Sequence, residues 1–179
     1  RSLVDYADAH SRSLSRTILT PHHGEAARLL TQFGHPLSRA DVDADPAASA
    51  KELASLTGAI ILLKSATTLC SYLHHDQGSR TQEILSIPEE TPWAGVAGSG
   101  DVLAGTLAGI AAGFQARAER RQGNPSISEA ECASLASLGA WVHAQAAFRA
   151  SVGSEGHAHP IQAIDIARAL PEIIGGLCS

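Results

Sequence analysis

The chain has 179 residues, of which 44% are apolar and 17% charged, with a formal net charge of −5 at pH 7. This composition is typical of a folded protein, and the acidic balance excludes sequence-independent attraction to nucleic acid, which depends on clustered Lys and Arg. The 3 cysteines are too few and too scattered for a disulfide framework. No apolar run has the length of a membrane span, so we predict a cytoplasmic protein that contacts neither membrane nor nucleic acid.

Strands and helices alternate along the chain. Short apolar or β-branched runs predict strands, and apolar residues at helical spacing predict helices. The predicted strands are 17–19, 59–63, 67–73 and 81–87. The predicted helices are 24–33, 47–56, 102–115, 128–150 and 161–174, the last ended by Gly175-Gly176. This alternation predicts an α/β fold with a mostly parallel sheet flanked by helices.

Local patterns add detail to these elements. The run 59–63 is apolar throughout, which is typical of a strand covered on both faces, whereas 36–46 has the composition of a polar loop. The strands at 67–73 and 81–87 are expected to form a hairpin or an edge pair. One face of the helix at 102–115 is predicted to pack inward through Leu103, Leu107, Ile110 and Phe114. A neighbouring line on that helix, predicted to pack tightly, holds Gly105, Gly109 and Gly113.

The sharpest motif is Gly98-Ser99-Gly100-Asp101 at the start of a helix. Residues with small side chains let backbone N–H groups converge on an anion, and the helix dipole favours that anion. A carboxylate beside bound phosphate repels it, but can take a proton from a hydroxyl that attacks it. The motif therefore indicates phosphoryl transfer with Asp101 as base and Gly98, Ser99 and Gly100 as an anion hole. The same spacing is also typical of an acidic residue that simply caps its helix.

Two further segments lie directly after predicted strands. Lys64-Ser65-Ala66-Thr67-Thr68 places a cation and hydroxyls at the carboxyl end of an apolar strand, where open α/β sheets bind ligands. Its ordinary alternative is a solvated strand end with a long lysine side chain. Thr20-Pro21-His22-His23-Gly24-Glu25 joins a strand to a helix, and adjacent His22 and His23 cannot both point the same way. All three segments are expected at one edge of the sheet.

Together these segments resemble the ADP/ATP-dependent NAD(P)H-hydrate dehydratases, a branch of the ribokinase-like superfamily. Their order and spacing match the family patterns T-P-H-P-G-E, K-G-x-x-T and A-G-[ST]-G-D-V-L-x-G. The likeness begins near Leu3, where Leu3-Val4-Asp5 and Ala7-Asp8-Ala9 resemble a family strand end. It implies that 1–179 is the carboxy-terminal portion of one ribokinase-like domain, with the amino-terminal part missing, consistent with a chain that opens on Arg1 and lacks Met.

The resemblance implies a role for each segment. Asp101 would activate the hydroxyl of the hydrated nicotinamide ring, and His22 would contact that substrate. Gly100 with Lys64, Ser65, Ala66, Thr67 and Thr68 would bind ADP or ATP. The partners would be NAD(P)H-hydrate and the adenine nucleotide, accompanied by Mg²⁺ for which no protein ligand is assigned, and the protein would be a homo-oligomer. The reaction phosphorylates the hydroxyl and eliminates phosphate, which makes the enzyme a hydro-lyase.

Departures from the family pattern leave alternatives open. His23 replaces a usual proline, Ser65 a usual glycine, and Thr67 a second glycine. One alternative is a ribokinase-like kinase of a carbohydrate or vitamin precursor, which would release a stable phosphoester. The other is an inactive fragment that binds nucleotide or assembles with copies of itself.

Overall fold

The computed structural model describes residues 14–76, 79–122, 127–152 and 156–177. These residues form two compact units. The first contains the described parts of 1–86 together with 127–136, and the second the described parts of 87–126 and 137–179. The predicted strand end near Leu3 lies outside the described residues.

The first unit holds a four-stranded sheet of order β1-β2-β3-β4. Its strands are β1 Ile18–Leu19, β2 Ile60–Leu63, β3 Thr67–Asp76 and β4 Ser79–Pro88. β1 and β2 are parallel because helices connect them, whereas β2 and β3 are antiparallel because only a short turn does. The α/β class is confirmed, and the described sheet is mixed rather than mostly parallel. β3 and β4 are adjacent, as the predicted pair requires.

β2 is the centre of this unit. All four of its side chains are buried, which confirms a strand covered on both faces. Ile61 and Leu63 join the core with Leu30 and Leu53 from the helices that connect β1 to β2. The apolar run therefore forms a buried strand because helices cover it, and its carboxyl end emerges at Lys64.

Three helices connect β1 to β2: α1 His23–Gln32, α2 Arg39–Ala44 and α3 Pro46–Thr57. α1 and α3 match the predicted helices. α2 corrects the predicted polar loop at 36–46, because Ser38 and Asp41 cap it reciprocally and Val42 is fully buried beneath it. A loop-like composition thus conceals one short capped helix.

The second unit contains a short 3-10 helix, Pro92–Ala94, followed by α4 Ser99–Gln122, most of α5 Glu129–Ser151, and α6 Ala163–Leu177. Its core lies where α5 and α6 meet, and consists of Ala94, Ala146, Ala147, Ile161 and Ile166. α6 runs through Gly175-Gly176, so the predicted stop there is wrong: neither glycine adopts the positive φ that would end the helix.

α4 is longer and less buried than predicted. Only its first half packs inward, through Leu103 and Leu107, whereas Phe114 is 36% exposed. Among the described residues, a Cβ at Gly105, Gly109 or Gly113 would meet nothing within 4 Å. The tight packing predicted for these glycines is therefore wrong. The close approach occurs instead at Gly139 of α5, where a Cβ would lie 2.5 Å from Leu107 Cδ2.

Candidate active site

The turn that starts α4 has the backbone of an anion site. Gly98 has a φ of 86°, and the helix begins at the next residue. This change from left-handed to right-handed backbone turns successive N–H groups to one side. The Asp101 and Val102 N–H groups donate to the Gly98 carbonyl at 3.1 and 3.2 Å, and the Ser99 N–H donates to Val96. Within the described part of the chain, the Gly100 N–H has no acceptor, so it is available to a ligand.

Asp101 is exposed and does not cap its helix. Four other helices carry an acidic residue at the equivalent third position, and each accepts a hydrogen bond of 2.8 or 2.9 Å from the backbone N–H three residues earlier. These residues are Glu25, Asp41, Glu131 and Asp165. Among the described residues, the Asp101 carboxylate accepts no such bond and forms no ion pair. The capping alternative raised by the sequence therefore has no support here.

His22 lies in the predicted segment 20–25 and is the N-cap of α1. The ring nitrogen Nδ1 of His22 accepts from the backbone N–H of Glu25 at 3.1 Å, and the backbone N–H of His22 donates to Glu25 Oε2 at 2.8 Å. Because Nδ1 is an acceptor, the proton of the neutral ring is on Nε2, which lies 3.6 Å from Glu25 Oε1. The ring is 55% exposed and presents a donor to solvent. His23 instead contacts Asp43, so the two histidines point to different partners.

Lys64 lies beside His22. The two residues form an isolated parallel bridge, and the Lys64 N–H donates to the Pro21 carbonyl at 2.9 Å. Lys64 Nζ lies 4.0 Å from Glu25 Oε2. The structure therefore brings together two segments that are about 40 residues apart, as expected from adjacent parallel strands that end at one sheet edge.

The segment after Lys64 forms a turn stabilised by its own serine. Ser65 Oγ donates to the Thr67 carbonyl at 2.6 Å and accepts from the Thr67 N–H at 3.3 Å. Ala66 and Thr67 are exposed, whereas Thr68 is buried. The serine that replaces the family glycine thus supplies a local hydrogen bond, and the turn keeps an exposed face for a ligand.

Glu25, which lies beside His22 and Lys64, is one functional candidate that the sequence did not predict. Partial burial by itself raises the pKa of Glu25, but the hydrogen bond from the His22 backbone N–H, the charge of His22 when its ring is protonated, and the charges of Lys64 and Arg28 outweigh it and lower that pKa from its ordinary value of 4.5. Glu25 therefore remains ionised and links His22 to Lys64. The His-x-x-Glu spacing was a readable signal, because it matches a capping box.

His143 of α5 was also missed. It is buried in the second unit and reaches Ser99 at the start of α4, with Nε2 3.1 Å from Ser99 Oγ. A single histidine in an alanine-rich helix carries no sequence signal for this contact. Asp101 and its turn belong to the second unit, whereas His22, Glu25 and Lys64 belong to the first.

The described residues contain no group of three or more His, Cys, Asp or Glu side chains able to hold a metal ion. In the same part of the chain, every helix is too short or too polar to cross a membrane.

A family model described as NAD(P)H-hydrate dehydratase matches residues 2–169. The ADP-dependent (S)-NAD(P)H-hydrate dehydratase of Neisseria meningitidis serogroup B is 36% identical over 144 residues, which cover 78% of this chain and 40% of the relative. The bifunctional NAD(P)H-hydrate repair enzyme of Leishmania infantum is 40% identical over 108 residues, 59% of this chain and 17% of that protein. The chain thus spans less than half the length of these curated relatives.

The fold is also similar to that of a solved structure. The ADP/ATP-dependent NAD(P)H-hydrate dehydratase of Bacillus subtilis, co-crystallised with ATP and Mg²⁺, superposes with a TM-score of 0.60. The match has 21% identity and covers 89% of this chain and 47% of the other. It confirms the predicted ribokinase-like fold.

Proposed function

This chain belongs to the NAD(P)H-hydrate dehydratase family, and from that premise we propose that the full-length protein repairs hydrated nicotinamide cofactors. The substrate is (S)-NADH-hydrate or (S)-NADPH-hydrate, and the phosphoryl donor is ADP or ATP. Dehydration returns NADH or NADPH, which makes the enzyme a hydro-lyase built on a kinase-like scaffold. The activity is attributed to the whole protein, since the match to the relative that carries this name covers only 40% of that relative.

Asp101 is the base of this reaction. It takes the proton of the ring hydroxyl, whose oxygen attacks the terminal phosphorus of the nucleotide as the bond to the leaving nucleotide oxygen breaks. The C–O bond of the phosphate ester then breaks, phosphate leaves with the bonding electrons, and loss of a proton from the neighbouring carbon forms the ring double bond. The observation that carries this role is that the Asp101 carboxylate accepts no capping bond among the described residues, whereas the four other acidic residues at that helical position cap their helices.

The first turn of α4 binds the phosphoryl group. Gly98, Ser99 and Gly100 form the anion hole, and the N–H groups of Gly98 and Gly100 have no acceptor among the described residues. The positive end of the 24-residue helix adds to the attraction. Negative charge that develops on the transferred group is stabilised there without reorganisation, and this is where most of the catalytic effect of such sites arises.

The segment from Lys64 to Thr68 binds the adenine nucleotide, with the ammonium of Lys64 and the exposed turn at Ser65-Ala66-Thr67 as its contacts. Mg²⁺, when bound with the nucleotide, would offset the negative charge of the phosphates, as it commonly does in phosphoryl-transfer sites.

His22 contacts the hydrated nicotinamide substrate. Its exposed Nε2–H is a donor of fixed direction, since the capping bond to Nδ1 holds the ring. Glu25 supports the arrangement by holding the His22 backbone and remaining charged beside Lys64. The same capping box that starts α1 thereby orients a substrate contact.

The deciding experiment measures the return of the near-ultraviolet absorbance of NADH from (S)-NADH-hydrate, with ADP or ATP and Mg²⁺, in the full-length protein and its Asp101→Asn variant. Loss of the base is expected to lower kcat by about 10² to 10⁴-fold. Asp41→Asn is the matched control, because Asp41 occupies the same helical position in α2 but caps its helix. That variant is expected to turn over normally.

The products decide between this function and a small-molecule kinase. A dehydratase releases free phosphate in step with NADH, whereas a kinase accumulates a stable phosphoester. A folded, nucleotide-binding protein that returns no NADH, or an Asp101→Asn variant as active as Asp41→Asn, would refute the proposal.

A further inference from the structure

A buried polar contact joins α5 to the first turn of α4. His143 Nε2 lies 3.1 Å from Ser99 Oγ and also 3.1 Å from the Ser99 carbonyl oxygen. Both residues are buried, with relative exposures of 7% and 8%. Both also belong to the second unit.

The two distances determine which ring nitrogen is protonated. A carbonyl oxygen only accepts hydrogen bonds, so Nε2 must carry a proton to approach it at 3.1 Å. An unprotonated Nε2 would set two lone pairs against each other in a buried place, which is costly. His143 therefore donates to Ser99, and the carbonyl is the partner that requires it.

Holding the Ser99 carbonyl also orients the next N–H. The Ser99 carbonyl and the Gly100 N–H belong to one planar peptide unit, and among the described residues no peptide bond is cis. In a trans peptide the two groups point in opposite directions. Since the carbonyl is directed at His143, the Gly100 N–H is directed away from it. That N–H has no acceptor in the described structure.

The contact adds to the restraint of the helical turn. Ser99 is the first residue of α4, and it is flanked by Gly98 and Gly100, which impose little restraint on the rotation of a neighbouring peptide plane. The imidazole therefore reinforces a turn to which side chains contribute little.

We propose that His143 is a positioning residue, which holds the Ser99–Gly100 peptide so that the Gly100 N–H donates to the phosphoryl oxygen. The inference rests on the proposed function for the identity of that oxygen. His143 acts through the peptide alone and touches neither substrate nor nucleotide.

The test compares His143→Leu with His143→Gln in the full-length protein. Gln places an amide N–H where the imidazole Nε2 was, whereas Leu fills the space without a donor. His143→Leu is expected to lower kcat for NADH-hydrate dehydration by about 10 to 10²-fold, somewhat less than loss of an anion-hole donor itself. His143→Gln is expected to recover most of that loss, and KM for the hydrate is expected to change little.

Ser151→Ala controls for a purely structural effect. Ser151 is fully buried on the same helix, donates to the Phe148 carbonyl at 2.9 Å, and lies 3.1 Å from the Thr91 hydroxyl oxygen. Its loss should lower the melting temperature without changing the kcat of the folded protein. Equal kcat in folded His143→Leu and Ser151→Ala would overturn the proposal.

A second measurement does not depend on turnover. Addition of ADP should shift the amide proton resonance of Gly100 in the wild-type, His143→Gln and Ser151→Ala proteins, and much less in His143→Leu. If the Gly100 shift is large in wild type and small in His143→Leu, but wild type forms no NADH, the positioning role stands and the proposed dehydratase function fails. If it forms NADH but the Gly100 shift is the same in all four proteins, the positioning role fails and the function stands.

Discussion

Removing the Glu25 carboxylate in two steps separates the hydrogen bond from the charge at the start of α1. Glu25→Gln keeps an oxygen that can accept from the His22 N–H, now 2.8 Å from Oε2, and loses only the charge. Glu25→Ala loses both. The interactions of the Glu25 charge with the helix dipole and with nearby exposed cations contribute about 0.3–1 kcal/mol to the free energy of unfolding. The complete cap contributes about 0.5–2 kcal/mol. We therefore expect Glu25→Gln to destabilise the chain by the smaller amount and Glu25→Ala by up to about 2 kcal/mol.

The effect of the charge depends on pH in a known direction. The pKa of Glu25 is lowered in the folded protein, so its charge stabilises the fold above the ordinary value of 4.5, and that stabilisation is lost as the pH falls through the folded value. Urea unfolding followed by far-ultraviolet circular dichroism should therefore separate wild type from Glu25→Gln at neutral pH. The two curves should converge well below pH 4.5.

Asp41→Asn serves as the comparison for this series. Its carboxylate also has a lowered pKa, caused by hydrogen bonds from the Ser38 side chain and backbone. Lys64 contributes to the lowered pKa of Glu25 and is not a cause of the lowered pKa of Asp41. Lys64→Gln should therefore reduce the effect of Glu25→Gln and leave that of Asp41→Asn unchanged. A Glu25→Gln effect that is independent of both pH and Lys64 would refute the electrostatic reasoning.

Two other predictions concern packing and ionisation. Gly109→Ala should stabilise the chain by about 0.5–1 kcal/mol, because its Cβ meets open space, whereas Gly139→Ala should be about 1–3 kcal/mol less stable than Gly109→Ala, because its Cβ meets Leu107. Urea unfolding measures both, and equal effects would contradict the packing described. Burial, with a 2.7 Å hydrogen bond to the Glu83 carboxylate and its charge, raises the pKa of Tyr72 to about 12. The difference in phenolate absorbance between wild type and Tyr72→Phe should titrate there and move towards 10 in Glu83→Gln, and an unmoved titration would exclude Glu83 as a cause.

The elements that could be predicted from sequence are those governed by local chemistry. β2 was predictable because four successive apolar residues are compatible with burial on both faces and with little else. α3 was predictable because Asp45 and Pro46 start it and Gly58, with a φ of 67°, ends it. Family motifs identified the residues of the candidate site, because motifs record spacing along the chain.

The failures come from effects that spacing does not encode. α2 has the composition of a loop because a helix of six residues has too little apolar periodicity to be recognised, and the burial of Val42 decides it. The exposed glycines of α4 and the close-packed Gly139 of α5 look alike in sequence, and differ only in which neighbour lies beside them. The sequence shows that a glycine is conformationally flexible, but it does not show which side chain packs against it.

The sequence by itself determined the family, the start of α4 at Gly98-Ser99-Gly100-Asp101, and most of the strands and helices, α2 excepted. These follow from backbone preferences and side-chain chemistry within a few residues. The tertiary structure alone decided that Glu25 links His22 to Lys64, that Asp101 leaves its carboxylate free of capping bonds in the described chain, and that His143 reaches Ser99. These contacts depend on which distant segments share a sheet edge or a helix interface, and that is settled only when the core packs.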